Sequence, residues 1–185
     1  MGATYVSIQV PDTPVDAIRT SMADFNSRAP ARLAAYLAPP VGRWTAIYPR
    51  LSPETDRFAK VLSGTTGGPV LTLGSIDEDD FFCNLCVAGK DLSFFKASVG
   101  TQRSAKQRAP VIKRINALAE FADEPSRAAL IERLCDARQT TFSVDLLNAF
   151  CAVFAIKNAR TSFDYIQRGD YHDDLDEETK FDRID

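Results

Sequence analysis

The chain of 185 residues contains one histidine, His172, and it stands among acids near the C-terminus. A body without imidazole lacks the side chain that titrates near pH 7. Ser-His and Cys-His nucleophilic catalysis and most zinc chemistry therefore have no base or ligand to draw on. Long apolar runs are missing too. Nothing approaches the roughly 20 consecutive apolar residues that a membrane helix needs. The opening residues Met1-Gly2-Ala3-Thr4-Tyr5 have neither the basic nor the apolar region of a secretory signal. These absences predict a cytoplasmic protein with no membrane partner. Cysteine is sparse: Cys83, Cys86, Cys135 and Cys151 are too few, in a chain this long, for a disulfide framework, and they read as reduced core thiols. Cys83 and Cys86 spell C-x-x-C, but inside a strand residues three apart face opposite ways, which suits neither a redox pair nor one zinc ion.

What is present describes an ordinary globular chain, with 45% hydrophobic and 25% charged residues, large enough for one core. The net charge of -3 is unevenly spread. Residues 170–185 carry eight acids against Lys180 and Arg183, a net -6, which leaves +3 on residues 1–169. Part of that excess lies in Arg103, Lys106, Arg108, Lys113 and Arg114, a stretch without an acid from Gly100 to Ala119. The tail also holds Tyr171, Leu175, Phe181 and Ile184, apolar surface that a purely solubilising segment would not need, and docking of the tail on the basic stretch is the expected arrangement.

The first hundred residues read as sheet-rich. Thr4 to Val10 alternates as a strand, and Thr13-Pro14 opens a helix toward Ser27. A short helix is expected at Arg32 to Leu37 and a strand at Arg43 to Tyr48, with Trp44, Ala46 and Tyr48 on one face. Ser52-Pro53-Glu54 starts the next helix. From Pro69 to Val99 three strands follow, separated by Asp77-Glu78-Asp79-Asp80 and by Gly89-Lys90-Asp91, which predicts an antiparallel meander. The middle strand is apolar on both faces and must be covered on each. Residues 105–169 read as helical. Pro110 and Pro125 lead two helices, Ser143 caps a third that is apolar nearly all round, and a last short helix ends at Arg168-Gly169. The expected fold is a single α+β domain over 1–169. It has a mixed sheet of about five strands ending in the meander, then a helical layer of three to four helices, with 170–185 as an acidic tail.

The run Arg43-Trp44-Thr45-Ala46-Ile47-Tyr48-Pro49, the acidic loop before a Phe/Cys strand, and the late Ala155-Ile156-Lys157-Asn158 and Ser162-Phe163-Asp164-Tyr165-Ile166 segments resemble a family of uncharacterised bacterial proteins. The resemblance spans roughly residues 43–184. It implies a coherent domain of bacterial type and carries over no activity and no catalytic residue.

Three local clusters could carry chemistry. The four acids 77–80 offer oxygen ligands, and Asp77, Asp79 and Asp80 are the candidate ligands of a divalent cation, although an EF-hand would alternate its ligands and place a glycine at the turn. Ser63-Gly64-Thr65-Thr66-Gly67-Gly68 has the composition of a phosphate loop, but it follows a helix and precedes a strand, the reverse of what phosphate binding uses. Asn158, Arg160, Thr161, Ser162, Asp164 and Tyr165 form a polar cluster after the apolar helix, and Arg160 could clamp a carboxylate or phosphate. No catalytic residue and no cofactor is assigned. The expectation is a non-enzymatic, regulatory or immunity-like module that binds another protein through Arg103, Lys106, Arg108, Lys113, Arg114 and Arg160 together with the acidic tail, or that pairs with a second copy. A metal-dependent hydrolase or transferase built on the acidic loop is the alternative. Nucleic-acid binding through 103–114 is disfavoured, because no aromatic side chains interleave the basic ones.

Overall fold

The structure is a computed structural model and describes residues 4–170 and 179–185. In chain order its elements are β1 (Tyr5–Pro11), α1 (Val15–Arg28), β2 (Ala35–Leu37), β3 (Trp44–Pro49), α2 (Glu54–Thr66), β4 (Pro69–Ile76), β5 (Asp80–Val87) and β6 (Lys90–Ser98). The remainder comprises α3 (Ala105–Ala117), a 3-10 turn (Ala119–Phe121), α4 (Glu124–Cys135), α5 (Ser143–Val153), α6 (Phe163–Arg168) and β7 (Asp182–Ile184). The strands form one seven-stranded sheet in the order β6-β5-β4-β1-β3-β2-β7.

Two crossovers interlock at the centre of that sheet. β1 pairs antiparallel with both β3 and β4, and β3 pairs antiparallel with β2. The units β1-α1-β2 and β3-α2-β4 therefore each join strands of like direction, and in each the gap is filled by a strand of the other unit. This corrects the expectation of a mixed sheet: strands joined by a helix do run parallel, but they are never neighbours, and every described pairing is antiparallel. The strand count also exceeds the expected five. One added strand is β2. The short helix expected at Arg32 to Leu37 is absent: Ala35–Leu37 is held extended between β3 and β7. The other added strand is β7, drawn from the segment read as a tail.

Among the described residues six α-helices cover the sheet, two on one face and four on the other. Ile8 and Val10 of β1, Ile47 of β3 and Val70 of β4 pack beneath Ile18, Met22 and Phe25 of α1 and Phe58, Ala59 and Leu62 of α2. The opposite face places Tyr5, Trp44, Leu71, Leu73, Phe81, Leu85 and Phe95 against Val111 and Ile115 of α3, Leu130 and Leu134 of α4, and Leu146, Leu147 and Phe150 of α5. α6 seats Ile166 beside Ala46 and Tyr48 on that same face. The meander's middle strand is covered on both faces, with Phe81, Cys83 and Leu85 buried on one and Asn84 and Cys86 on the other, while Phe82 is half-buried. Among the described residues no helix is long and apolar enough to cross a membrane.

Helix starts show where local signals were overridden. The Thr13 hydroxyl donates to the Pro11 carbonyl instead of capping α1. α3 begins five residues before Pro110, because Gln107 Oε1 accepts the Ser104 N–H at 2.9 Å and opens the helix there. α4 is capped by Asp123, whose carboxylate accepts the Ser126 N–H at 2.9 Å.

One position in the sheet admits no side chain. Gly74 of β4 lies under the ring of Phe82, its partner on β5; a Cβ there would stand 2.2 Å from that ring and 2.6 Å from the Tyr5 carbonyl oxygen. Because one obstacle is backbone, repacking cannot relieve it. Gly74→Ala should cost about 3 kcal/mol in urea denaturation, and adding Phe82→Ala should recover only part of the loss.

Candidate functional site

The registers bring one end of the sheet together. β1 aligns Ile8 with Ile47 on β3 and Tyr5 with Ser75 on β4, so Thr4, Leu51 and Ile76 fall at that end on three adjacent strand lines. Beyond Ile76 the chain turns tightly: the Asp79 N–H donates to the Ile76 carbonyl at 3.1 Å, and Asp77 and Glu78 between them have φ of 50° and 66°. Ile76 pairs with Asp80 across this three-residue turn, and its two consecutive left-handed positions suit Asn or Gly and strain a residue carrying a larger side chain. The turn is tied to α5, since the Ser143 N–H donates to the Glu78 carbonyl at 2.8 Å and the Ser143 and Ser75 hydroxyls bond at 2.7 Å within the core. Phe142, the residue before α5, is thereby placed beside Glu78.

Two depressions flank this turn. A cavity of about 430 Å³ is lined by Thr4, Leu51, Asp77, Asp164, Tyr165 and Arg168, among others. A second, of about 200 Å³, is lined by Tyr5, Ser75, Glu78, Phe142, Val144 and Arg160. The structure therefore joins two clusters that are 80 residues apart in sequence, the acidic loop and the 158–165 segment. Around them stand three large apolar side chains left in solvent: Leu51 at 59% exposure, Ile76 at 41% and Phe142 at 46%. None of the three stands out in the sequence, for an isolated apolar side chain carries no signal until neighbours collect it.

The acids do not gather into a metal centre. Asp80 is turned inward along β5, where it accepts from Lys96 Nζ at 2.5 Å and from the Ser98 hydroxyl at 2.6 Å. Burial pushes its carboxyl up, and the bonds from Lys96 and Ser98 outweigh that and hold it below the ordinary carboxylate range. Asp77 lies at the tip of the turn, and Asp79 is occupied on the backbone, its carbonyl accepting the Val99 N–H at 2.9 Å. Among the described residues no group of three His, Cys, Asp or Glu side chains could hold a metal ion. Cys83 faces the helical layer and Cys86 the other side of β5; both are free and buried, and burial raises both thiol pKa values, that of Cys86 to about 11.

The basic residues are divided among separate duties. Arg114 is buried; its Nη2 donates to the Phe94 carbonyl at 2.9 Å, and its guanidinium lies 5.5 Å from the centre of the Phe95 ring. Burial lowers the Arg114 pKa. Arg103 faces the same ring, and Arg108 pairs with Glu132 of α4. Lys106 and Lys113 remain exposed. Arg160 lies in the segment between α5 and α6, lining the cavity beside Glu78 and Phe142. The end of the tail is not on this stretch: β7 pairs with β2 at the opposite edge of the sheet, and Arg19 of α1 binds Asp182. Residues 171–178, the acidic part of the expected docking segment, lie outside the described residues.

The segment 154–161 is irregular, with φ of 51° at Ala155 and 64° at Asn158, and it is fastened to the sheet from below. Trp44 Nε1 donates to the Phe154 carbonyl at 2.8 Å, and the Tyr48 hydroxyl donates to the Asn158 carbonyl at 2.5 Å. Residues four apart on a strand share a face, so β3 offers these two donors as a pair. Burial alone pushes the Tyr48 pKa far up, which keeps the phenol protonated and donating.

Comparison with known proteins returned no matching family model, no curated protein and no solved structure.

Two measurements check this geometry. Tyr48→Phe strands the Asn158 carbonyl and should cost about 1–2 kcal/mol, with faster amide exchange confined to residues near 154–161. Asp80→Asn should lower stability by about 1 kcal/mol at pH 7. Because the folded carboxyl titrates below the unfolded one, that contribution is present above the unfolded pKa and fades as pH falls through the folded value. The gap between mutant and wild type should therefore narrow as urea titrations are carried to pH values below the ordinary aspartate range.

Proposed function

We propose that the protein is a non-enzymatic interaction module that recognises another protein through the end of the sheet built around the Asp77-Glu78 turn. The observation that carries this reading is a costly turn at an exposed apolar rim. Two acidic side chains occupy left-handed positions that Asn-Gly would fill without strain, and they project between Leu51, Ile76 and Phe142. Strain kept beside exposed apolar surface supports a role outside folding. The carboxylates would steer a basic partner and fix its register, while the three apolar side chains would supply the area that becomes buried. Four free, buried thiols fit a reducing compartment such as the cytoplasm. The metal-dependent alternative finds no gathered ligand set among the described residues, and nucleic-acid binding through 103–114 is left mainly with Lys106 and Lys113, since Arg114 is buried and Arg108 is ion-paired.

The test separates binding from folding. The double variant Asp77→Asn/Glu78→Gly installs the unstrained turn and should stabilise the fold by roughly 1–2 kcal/mol while weakening partner capture from an extract of the cells that encode the protein. Phe142→Ser should weaken the same capture without the gain in stability. The reading is wrong if wild type and both variants retain the same proteins, or if wild type retains no discrete partner at low salt.

A further inference from the structure

β7 and the strand it pairs with are held in place by very different means. β2 belongs to the core: Ala35 and Leu37 are only 0% and 2% exposed, and the strand is pinned at both ends, where the Arg50 N–H donates to the Ala34 carbonyl at 2.8 Å and the Ala38 N–H to the Ala46 carbonyl at 2.9 Å. β7 is three residues long, with Asp182 and Arg183 exposed and Ile184 half-buried. Its ion pair with Arg19 lies in solvent, the two side chains 43% and 54% exposed, where such a pair contributes little. A strand with so few buried contacts opens locally at far lower cost than the core it rests on. We infer that the β2 edge is a strand-accepting site, occupied at rest by the chain's own residues 181–185, and that an extended segment of another protein displaces them. The segment that fits runs aromatic, acidic, any residue, aliphatic.

The resident strand shows what the edge reads. In its register Asp182 lies opposite Leu37, Arg183 opposite Tyr36 and Ile184 opposite Ala35. Successive side chains point to opposite faces. On one face Phe181 packs on the small cluster of Ala38, Ala46, Tyr48 and Ile166, its ring centre 5.8 Å from that of Tyr48. On the other face Asp182 meets Arg19 of α1, and Ile184 packs against the cluster beneath α1 and α2. Main-chain bonds to β2 give affinity to any extended chain. An aromatic seat, a guanidinium and an aliphatic seat then choose its sequence.

Competition selects the occupant. The chain's own strand is tethered, which gives it a high effective concentration at β2. A second copy brings the identical strand without the tether and therefore loses. Another protein wins by filling the half-buried Phe181 and Ile184 positions more completely, since well-packed anchors carry most of the affinity of an interface. The β2 edge shares no side chain with the Asp77-Glu78 end, so the inference goes beyond the recognition reading and does not depend on it.

The probe is a fluorescein-labelled peptide of residues 179–185, titrated against the full chain at low salt and read by anisotropy. It should bind the wild-type chain weakly and the variant Phe181→Ala/Ile184→Ala about tenfold tighter, because a weakened resident strand competes less. Arg19→Asp keeps the test decisive if that variant misfolds, since Arg19 is exposed. The full chain with Arg19→Asp should bind a peptide carrying Asp182→Arg severalfold tighter than the unaltered peptide, the reverse of the wild-type order. Native-state hydrogen exchange should release the β7 amides that pair with β2 well before those of β3. Lack of saturable binding to either variant, an unreversed peptide preference in Arg19→Asp, or exchange of β7 only with global unfolding would each overturn the inference. So would a wild-type dimer that the peptide dissociates, for the occupant would then be a second copy.

Discussion

A single buried hydrogen bond, from the indole of Trp44 to the carbonyl of Phe154, decides how the helical half of the chain meets its sheet. An indole N–H inside a core must find an acceptor, and a carbonyl released at the end of α5 must find a donor. Satisfying both with one contact ends the helix at a set point and aims the chain that follows. Tyr48, two pleats along the same face, repeats the contact at Asn158. The course of residues 154–161 is thus dictated by the spacing of two donors on a strand more than by any turn preference of its own. The left-handed backbone at Ala155 and Asn158 descends from that spacing.

The sheet is closed at its edges by different means. On the β6 side, the backbone that could pair with another chain meets the buried guanidinium of Arg114, which takes the Phe94 carbonyl from within the fold. A charge placed beneath an edge strand discourages further pairing there while remaining solvated by the strand it guards. On the β2 side, the edge is covered by β7, three residues long, fastened by the Arg19 to Asp182 ion pair. The basic stretch that looked like a surface patch is therefore partly an internal device, and the C-terminal segment that looked like a free tail ends as sheet.

Much of this architecture was legible from residue pattern. The meander was readable because two turn clusters punctuate three apolar runs, and the second turn again uses left-handed residues, Ala88 and Gly89. The helices α2, α4 and α6 were marked by serine, proline and glycine at their ends. What escaped was whatever depends on distant partners. Ala35–Leu37 has helical composition and becomes a strand only because β3 and β7 flank it. The strand directions were misjudged because a helix between two strands implies a parallel crossover, and nothing local says that a third strand will occupy the gap. At the candidate site, the acidic loop and the 158–165 cluster were each visible, but their meeting was not, for it is set by registers of β1 against β3 and β4. Leu51, Ile76 and Phe142 carry no local signal for the same reason, and the helix that reads as apolar nearly all round leaves Asn148 exposed because α5 presents one side to solvent.

The order of elements along the chain also sets a schedule for synthesis. The sheet through Ser98, together with α1 and α2, is complete before the first residue of α3 has been made. Until α3, α4 and α5 follow, the face carrying Leu71, Leu73, Phe81, Leu85 and Phe95 has nothing to cover it. At about 5–20 residues per second that interval lasts several seconds, long compared with the collapse of a small chain. The nascent protein thus passes through a stage in which half its apolar core is open to water, and its yield in the cell will depend on how well chaperones or low crowding on the ribosome protect that face until α5 arrives.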